Sequence, residues 1–345
     1  MATTVAAPTA RGGRSGLTRS MALIVLGAVL VGISLLSLFV GSGDISAGEA
    51  WRALWHNDHS TNAEIVRTTR VPRMLLGLLA GAALGVAGAL MQALTRNPLA
   101  DPGLLGVNAG AYLAMVLGFW IGGAMSTAAY ALFAMAGAFV ASGLVYFVGS
   151  RGRGGVSPGK LVLTGVAVSC VFTGLAFGLT MIDPKSFDAI RGWQMGTLQK
   201  SNGEAIFFGA LPYVVVGLVV AVALTLYLNA IALGDDRARA LGVPVTTVRT
   251  VGFVAMTLLC GAATAAIGPI SFLGLMVPHA VRAIVGPDQR WIIPACLLAS
   301  PILFLGADVI GRVATPGELP VGMVTAFIGA PVLIWLARGR GVNEL

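Results

Sequence analysis

ALGDDRARALGVPV, residues 232–245, lies between two long apolar runs and sets two acids and two arginines within five positions. As a helix it carries its own punctuation. Gly234 or Asp235 caps the start, and Asp235 and Asp236 sit at the positive N-terminal end. Arg237 and Arg239 follow, Gly242 suits a left-handed stop, and Pro244 prevents continuation. That leaves about two turns, ~10 Å at 1.5 Å per residue, far too short to cross a bilayer. Such a helix is marginal alone in water, so the flanking segments or a partner's groove must hold it. Ala238 and Leu241, three apart, form a small apolar spot beside charges of both signs. The bland alternative is a well-capped loop helix with no partner.

The flanks decide the class. Mean hydropathy is +0.88, and only 10% of residues are charged, where soluble chains run near a quarter. The 47 glycines suit transmembrane helices packed with backbones in close approach. The chain reads as an all-α polytopic membrane protein. The net charge of +8 is scattered through short loops, which points to topology rather than nucleic acid. Cys170, Cys260 and Cys296 lie in apolar runs without CxxC spacing and predict neither a disulfide nor a metal site.

Apolar runs of spanning length fall at 21–40, 74–94, 104–123, 126–149, 161–182, 205–228 and 250–272, then 291–310 and 319–337. A short run at 273–285, broken by Gly274 and Pro278, makes about ten. Residues 1–20 form a polar tail expected to be disordered, and 21–341 form one domain. The segments 41–73 and 183–204 have room for short helices. Of the 22 lysines and arginines, fourteen fall inside and eight outside when both termini are cytoplasmic, the orientation that the positive-inside bias favours.

Several motifs fall short of chemistry. GGVSPGKL (154–161) has Leu161 where a phosphate-binding loop needs Ser or Thr for magnesium, and it follows no strand. Any ATP hydrolysis is therefore expected in another subunit. The pair His56 and His59 has no third ligand beside it. Asp308 and Glu318 lie towards span ends, with no carboxylate relay of the kind an ion-coupled carrier uses.

Four long stretches carry a resemblance: RVPRMLLGLLAGAALGVAGALMQALTRNPLADPGLLGVNAGA (70–111), ALGDDRARALGVPV, GPISFLGLMVPHAVR (268–282) and GELPVGMVTAFIGAPVLIWLARGRG (317–341). In this order they resemble the FecCD-type permeases of iron-siderophore and vitamin B12 ABC importers. The resemblance implies a ten-helix subunit of the bacterial cytoplasmic membrane that dimerises around a central path, with the same chain or a similar one. It also implies two ATPases beneath, which hold ATP and magnesium, and an outer substrate-binding protein above. The permease itself is then no enzyme and binds no cofactor.

The resemblance assigns roles residue by residue. Asp235, Asp236, Arg237, Ala238, Leu241 and Gly242 match the helix that couples to the ATPase. Arg70, Arg73 and Arg312 match outer-face arginines that pair with acids on the binding protein. Asn97 and Leu99 match the inner gate. Its other part corresponds to Ser157, Pro158 and Gly159, where relatives can carry small hydroxyl residues and this chain departs. The close-packed last span holds Gly322, Gly329 and Pro331. A ferric siderophore is the expected substrate, with cobalamin or haem as alternatives on the same architecture. A secondary carrier with no ATPase is the competing class, because such carriers also use proline-broken spans. A membrane-embedded enzyme lacks any paired nucleophile and base.

Overall fold

The computed structural model describes residues 16–41, 45–56, 58–123, 126–151, 158–315 and 317–338. Its helices in chain order are α1 (Gly16–Phe39), α2 (Ala47–Trp55), α3 (Thr61–Glu64), α4 (Val71–Thr95), α5 (Val107–Gly122), α6 (Thr127–Ser150), α7 (Pro158–Ile182) and α8 (Pro184–Gln194). They continue with α9 (Gly203–Ala223), α10 (Thr225–Ala232), α11 (Asp235–Ala240), α12 (Val245–Ile267), α13 (Leu273–Val285), α14 (Gln289–Ala314) and α15 (Val321–Arg338). No strand occurs among the described residues.

Seven helical stretches are long and apolar enough to cross a membrane, and α5, α13 and α15 are shorter apolar helices. Residues 16–20, expected within the tail, belong to α1, and 1–15 lie outside the described residues. The expected run 250–272 also divides. Helix α12 starts earlier, at Val245, and stops at Ile267, where Gly268 takes φ 93°. Residues 268–272 are not helical, and α13 starts after Phe272 at φ 69°. The ends of the unwound run are bonded: Gly268 N–H donates to the Thr264 carbonyl at 2.8 Å, and the Phe272 carbonyl accepts from the Met276 N–H at 2.8 Å. Non-helical backbone among spanning helices is tolerated only where protein satisfies it in this way.

Helix α4 is the central post. It packs against both α14 and α12, while α5 pairs with α6 and α9 lies on α12. Small residues make this possible. A Cβ on Gly88 would collide with the Gly274 backbone, and Gly110 and Gly137 face each other across α5 and α6 with no room for one. The helices therefore approach to backbone contact.

Two faces follow from α12. It begins just after α11 and ends at Gly268, against the Trp193 carbonyl of α8. At 23 residues it spans ~34 Å, so α11 and α8 lie on opposite faces of the bundle. Helix α4 runs the same distance in reverse, joined to α3 by a π-helical turn over Ile65–Arg70.

Candidate functional site

The α11 segment is built as its punctuation predicts. Gly234 adopts φ 103° ahead of Asp235. At the other end Gly242 is left-handed, at φ 80°. Its N–H donates to the Arg239 carbonyl at 2.9 Å, and the Val243 N–H donates to the Ala238 carbonyl at 3.0 Å. This pair of bonds is a Schellman closure, which satisfies carbonyls that a helix end otherwise strands.

The side chains divide sharply. Asp235 turns inward, accepting from Arg249 of α12 at 2.9 Å and lying 3.7 Å from Arg96 at the end of α4. Ala238 is fully buried beneath the turn, whereas Leu241 is 66% exposed. Asp236, Arg237, Arg239, Ala240 and Gly242 are exposed as well. The expected Ala238–Leu241 spot is therefore corrected to Leu241 alone. Ala238 is the plug that seats the helix, and Asp235 is its anchor. Arg249, the anchor's partner, went unrecognised because it lies 14 positions away in sequence, beyond any helical spacing.

The segment 96–106, which holds the expected gate residues Asn97 and Leu99, reverses the chain between α4 and α5. Arg96 is left-handed at φ 50°. The Asn97 side-chain oxygen accepts from the Leu99 N–H at 2.9 Å, a turn in which the side chain imitates backbone. Asn97 is exposed and Leu99 half-buried. Asp101 caps the 3-10 turn Pro102–Leu105 by accepting from the Gly103 N–H at 2.7 Å. Burial pushes its carboxyl up to about 6. This acid was not singled out from sequence, although Asp before Pro-Gly is a turn signal. The 3-10 turn packs on α7, bringing the segment beside the helix that Pro158 opens. Gly159 is exposed, with open space where a Cβ would project, and Ser157 lies outside the described residues.

On the opposite face the arginines differ from expectation. Arg70, Arg73 and Arg312 are only 3%, 6% and 6% exposed. Arg73 grips the fully buried Asp308 through Nε at 3.1 Å and Nη2 at 2.9 Å, and reaches Glu318 at 2.6 Å. Arg312, one turn on from Asp308, pairs with the same carboxylate through Nε at 2.9 Å and through Nη2. Its other donors go to the carbonyls of Ser37 (2.7 Å) and Val40 (2.8 Å). Arg70 donates to the carbonyls of Leu38 (2.9 Å) and Phe39 (3.1 Å).

These targets share one origin, because the last carbonyls of α1 have no partner within their own helix. Two guanidiniums supply the donors, and their charge suits a helix C-terminus. Arg67 does the same for α2, donating to Ala53 and Leu54 at 2.8 and 3.0 Å. Arg70, Arg73 and Arg312, expected as docking residues, are buried in this conformation and tie α1, α4 and α14 together. The space they enclose, about 30 Å³, has room for about one water.

The last span approaches its neighbours closely at two glycines. Gly322 N–H donates to the Gly196 carbonyl at 3.0 Å, and Gly329 leaves no space for a Cβ against Phe272. Pro331 lies within α15 on an exposed position.

With this geometry established, comparison with known proteins places the chain. Residues 29–339 match the family model described as the FecCD transport family. The ferric enterobactin transport system permease protein FepD of Escherichia coli is 48% identical over 328 residues, covering 95% of this chain and 98% of that one. The Fe(3+)-citrate import system permease protein YfmD of Bacillus subtilis is 38% identical over 332 residues, 96% of this chain and 98% of its own. In three dimensions the fold is similar to a metal-chelate type ABC transporter in an inward-facing conformation, with a TM-score of 0.80 at 26% identity over 92% of this chain and 99% of the other. The match covers α11, the 96–106 segment and the arginine cluster together, and the chain belongs to the FecCD transport family of membrane permeases.

Proposed function

We propose that this chain is the permease of an ATP-driven importer that carries a ferric siderophore across the cytoplasmic membrane of a bacterium. The observation that carries the reading is α11. It is a short helix with a closed C-terminus, anchored by Asp235 and plugged by Ala238, and it presents Asp236, Arg237, Arg239 and Leu241 outward. A rigid knob on the end of a buried span passes displacement to the bundle, whereas a loose loop would absorb it. Two ATPase subunits, which bind the ATP and magnesium, dock on this face. Two permeases, identical or similar, enclose the path, and a substrate-binding protein docks on the face that carries α8.

The arginine and lysine bias supports an α11 face in the cytoplasm with both termini there. The permease performs no bond chemistry. Its contribution is a difference in contacts between inward- and outward-open states, the only way in which nucleotide can shift their balance. The substrate class rests on the relatives named for ferric enterobactin and ferric citrate. A chelated iron needs no metal ligands from the path.

The test is uptake of radiolabelled ferric enterobactin, ferric citrate and cobalamin in cells lacking the chain, with and without the restored gene. Rescue of a ferric chelate alone is expected, and rescue of cobalamin alone would refute the substrate class. In the same cells Leu241→Arg should lower uptake by more than about tenfold, at unchanged membrane abundance, by introducing an unpaired charge at the docking face. Undiminished uptake in that variant would remove α11 from the mechanism.

A further inference from the structure

Helix α2 belongs neither to α11 nor to the buried arginine cluster, and it is held firmly. Ser46 and Glu49 close its first turn as a capping box, in which the Glu49 carboxylate accepts from the Ser46 N–H at 2.9 Å. Arg67 fastens its last turn by donating to the Ala53 and Leu54 carbonyls. The inner side is small and buried: Ala50 and Ala53 pack with Ala63 and Val66, and Phe39 and Val71 lie against them. The outer side differs. Trp51 and Trp55, one turn apart, are 50% and 69% exposed, and their rings meet edge to face with centroids 5.9 Å apart. Arg52 is exposed between them, and Glu49, the one acid of the helix, is committed to the cap. Two large bare rings side by side on a rigid helix mark a contact surface.

Level decides what covers them. Phe39 is the last residue of α1 and Val71 the first of α4, and both pack against the buried side of α2. Helices α1 and α4 have 24 and 25 residues, ~36 and ~37 Å at a rise of about 1.5 Å per residue. The hydrocarbon core is about 30 Å thick, and about 40–45 Å with its headgroups. A helix seated on the outer ends of both spans is therefore at headgroup level, on the face opposite α11. It is also at the rim of the bundle. Only 11% of the apolar window of α1 is buried, and Leu17, Ile24 and Val31 stand exposed along it. The lipid along that flank of α1 continues up to α2.

Indole suits this layer, because its ring prefers the acyl boundary while its N–H donates to headgroup oxygens. A guanidinium at the same level meets lipid phosphate. We propose that α2 is an interfacial anchor, whose Trp51 and Trp55 insert at the headgroup–acyl boundary of the leaflet opposite α11. The anchor acts on the central post. Arg67 joins α2 to the π-helical turn that leads into α4, and Arg70 joins that turn to the end of α1. The depth of both spans in the membrane is thus set from α2.

The test is tryptophan fluorescence of the full chain in lipid nanodiscs, made either with plain phosphatidylcholine or with phosphatidylcholine brominated near the carbonyl end of one acyl chain. The chain has 6 tryptophans, so the quantity read is the difference in emission between the parent and a Trp51→Phe, Trp55→Phe double variant. Phenylalanine keeps an aromatic ring at each exposed position, so the variant should fold as the parent does. The difference emission should lose most of its intensity in brominated lipid and resist quenching by aqueous iodide. Strong quenching by iodide with none from brominated lipid would place both rings in water and overturn the proposal. Quenching by neither would mean that a second copy of the chain covers α2, and it would overturn the proposal equally.

Discussion

The two charged ends of this molecule are built alike in sequence and oppositely in space. On one face, α11 mixes acids and arginines and keeps most of them exposed. On the other, Arg70, Arg73 and Arg312 stand among apolar residues and are all buried. The difference lies in what each charge finds nearby. In α11, glycine and proline close the helix after six residues, so only one side chain in each turn can face the bundle. At the opposite end the arginines sit where α1 ends with bare carbonyls and where Asp308 lies one turn before Arg312. Burial there is matched by carboxylates and helix-end carbonyls, which is what makes it tolerable. Exposed charge is free to recognise a partner, and buried charge has already been used by the fold.

Substitutions can break or sharpen that contrast. The largest effect is expected from Asp308→Ala, which strands Arg73 and Arg312 in the interior at a cost of about 3–5 kcal/mol. Thermal unfolding in detergent should show collapse of folded protein, and a melting point within a few degrees of the parent would mean that the cluster is hydrated and open. Next is Ala238→Arg. A charge forced into the seat of α11 combines overpacking with burial and should cost about 3 kcal/mol. A fully stable Ala238→Arg protein that had lost only transport would return Ala238 to the docking surface.

A third effect depends on pH. The folded-state carboxyl of Asp101 is raised to about 6 from 3.8, so the folded chain holds this proton more tightly than the unfolded one. That stability is fully present below about 4 and lost as pH rises through about 6, a swing of up to about 3 kcal/mol. Asp101→Asn keeps the cap oxygen and removes the titration, so its melting point should vary less across this window, and an unchanged pH profile would refute the assignment. The smallest effect is expected from Arg239→Ala. Its pair with Asp236 at 3.2 Å is exposed, so the loss should stay within about 0.5 kcal/mol. A larger loss would mean that the outer side of α11 is structural too.

Much of the scaffold was legible because it rests on local rules. Apolar runs of bilayer length became helices, and Gly242 with Pro244 ended α11 where left-handed backbone and a missing donor require it. Asp308 and Arg312 stand four apart, a spacing at which helical side chains meet, but their pairing came to light only in the fold. The unwound stretch 268–272 was harder, since a continuous apolar run does not reveal that Gly268 breaks against the Trp193 carbonyl. The π-helical turn at Ile65–Arg70 was not foreseen. Its wide register lets Arg67 and Arg70 reach the ends of two different helices.

The sequence by itself determined the class, the number of apolar segments, the punctuation of α11 and the membership that the long motifs carry. Each depends on residues within one or two turns of each other. Only the tertiary structure decided which charges are exposed. Arg73 meets Asp308 across 235 positions, and Arg312 meets Ser37 across 275. Spacing along a chain cannot register such pairs, because they exist only after α1, α4 and α14 have packed. Whether an arginine recognises a partner or fastens its own fold is set by that packing.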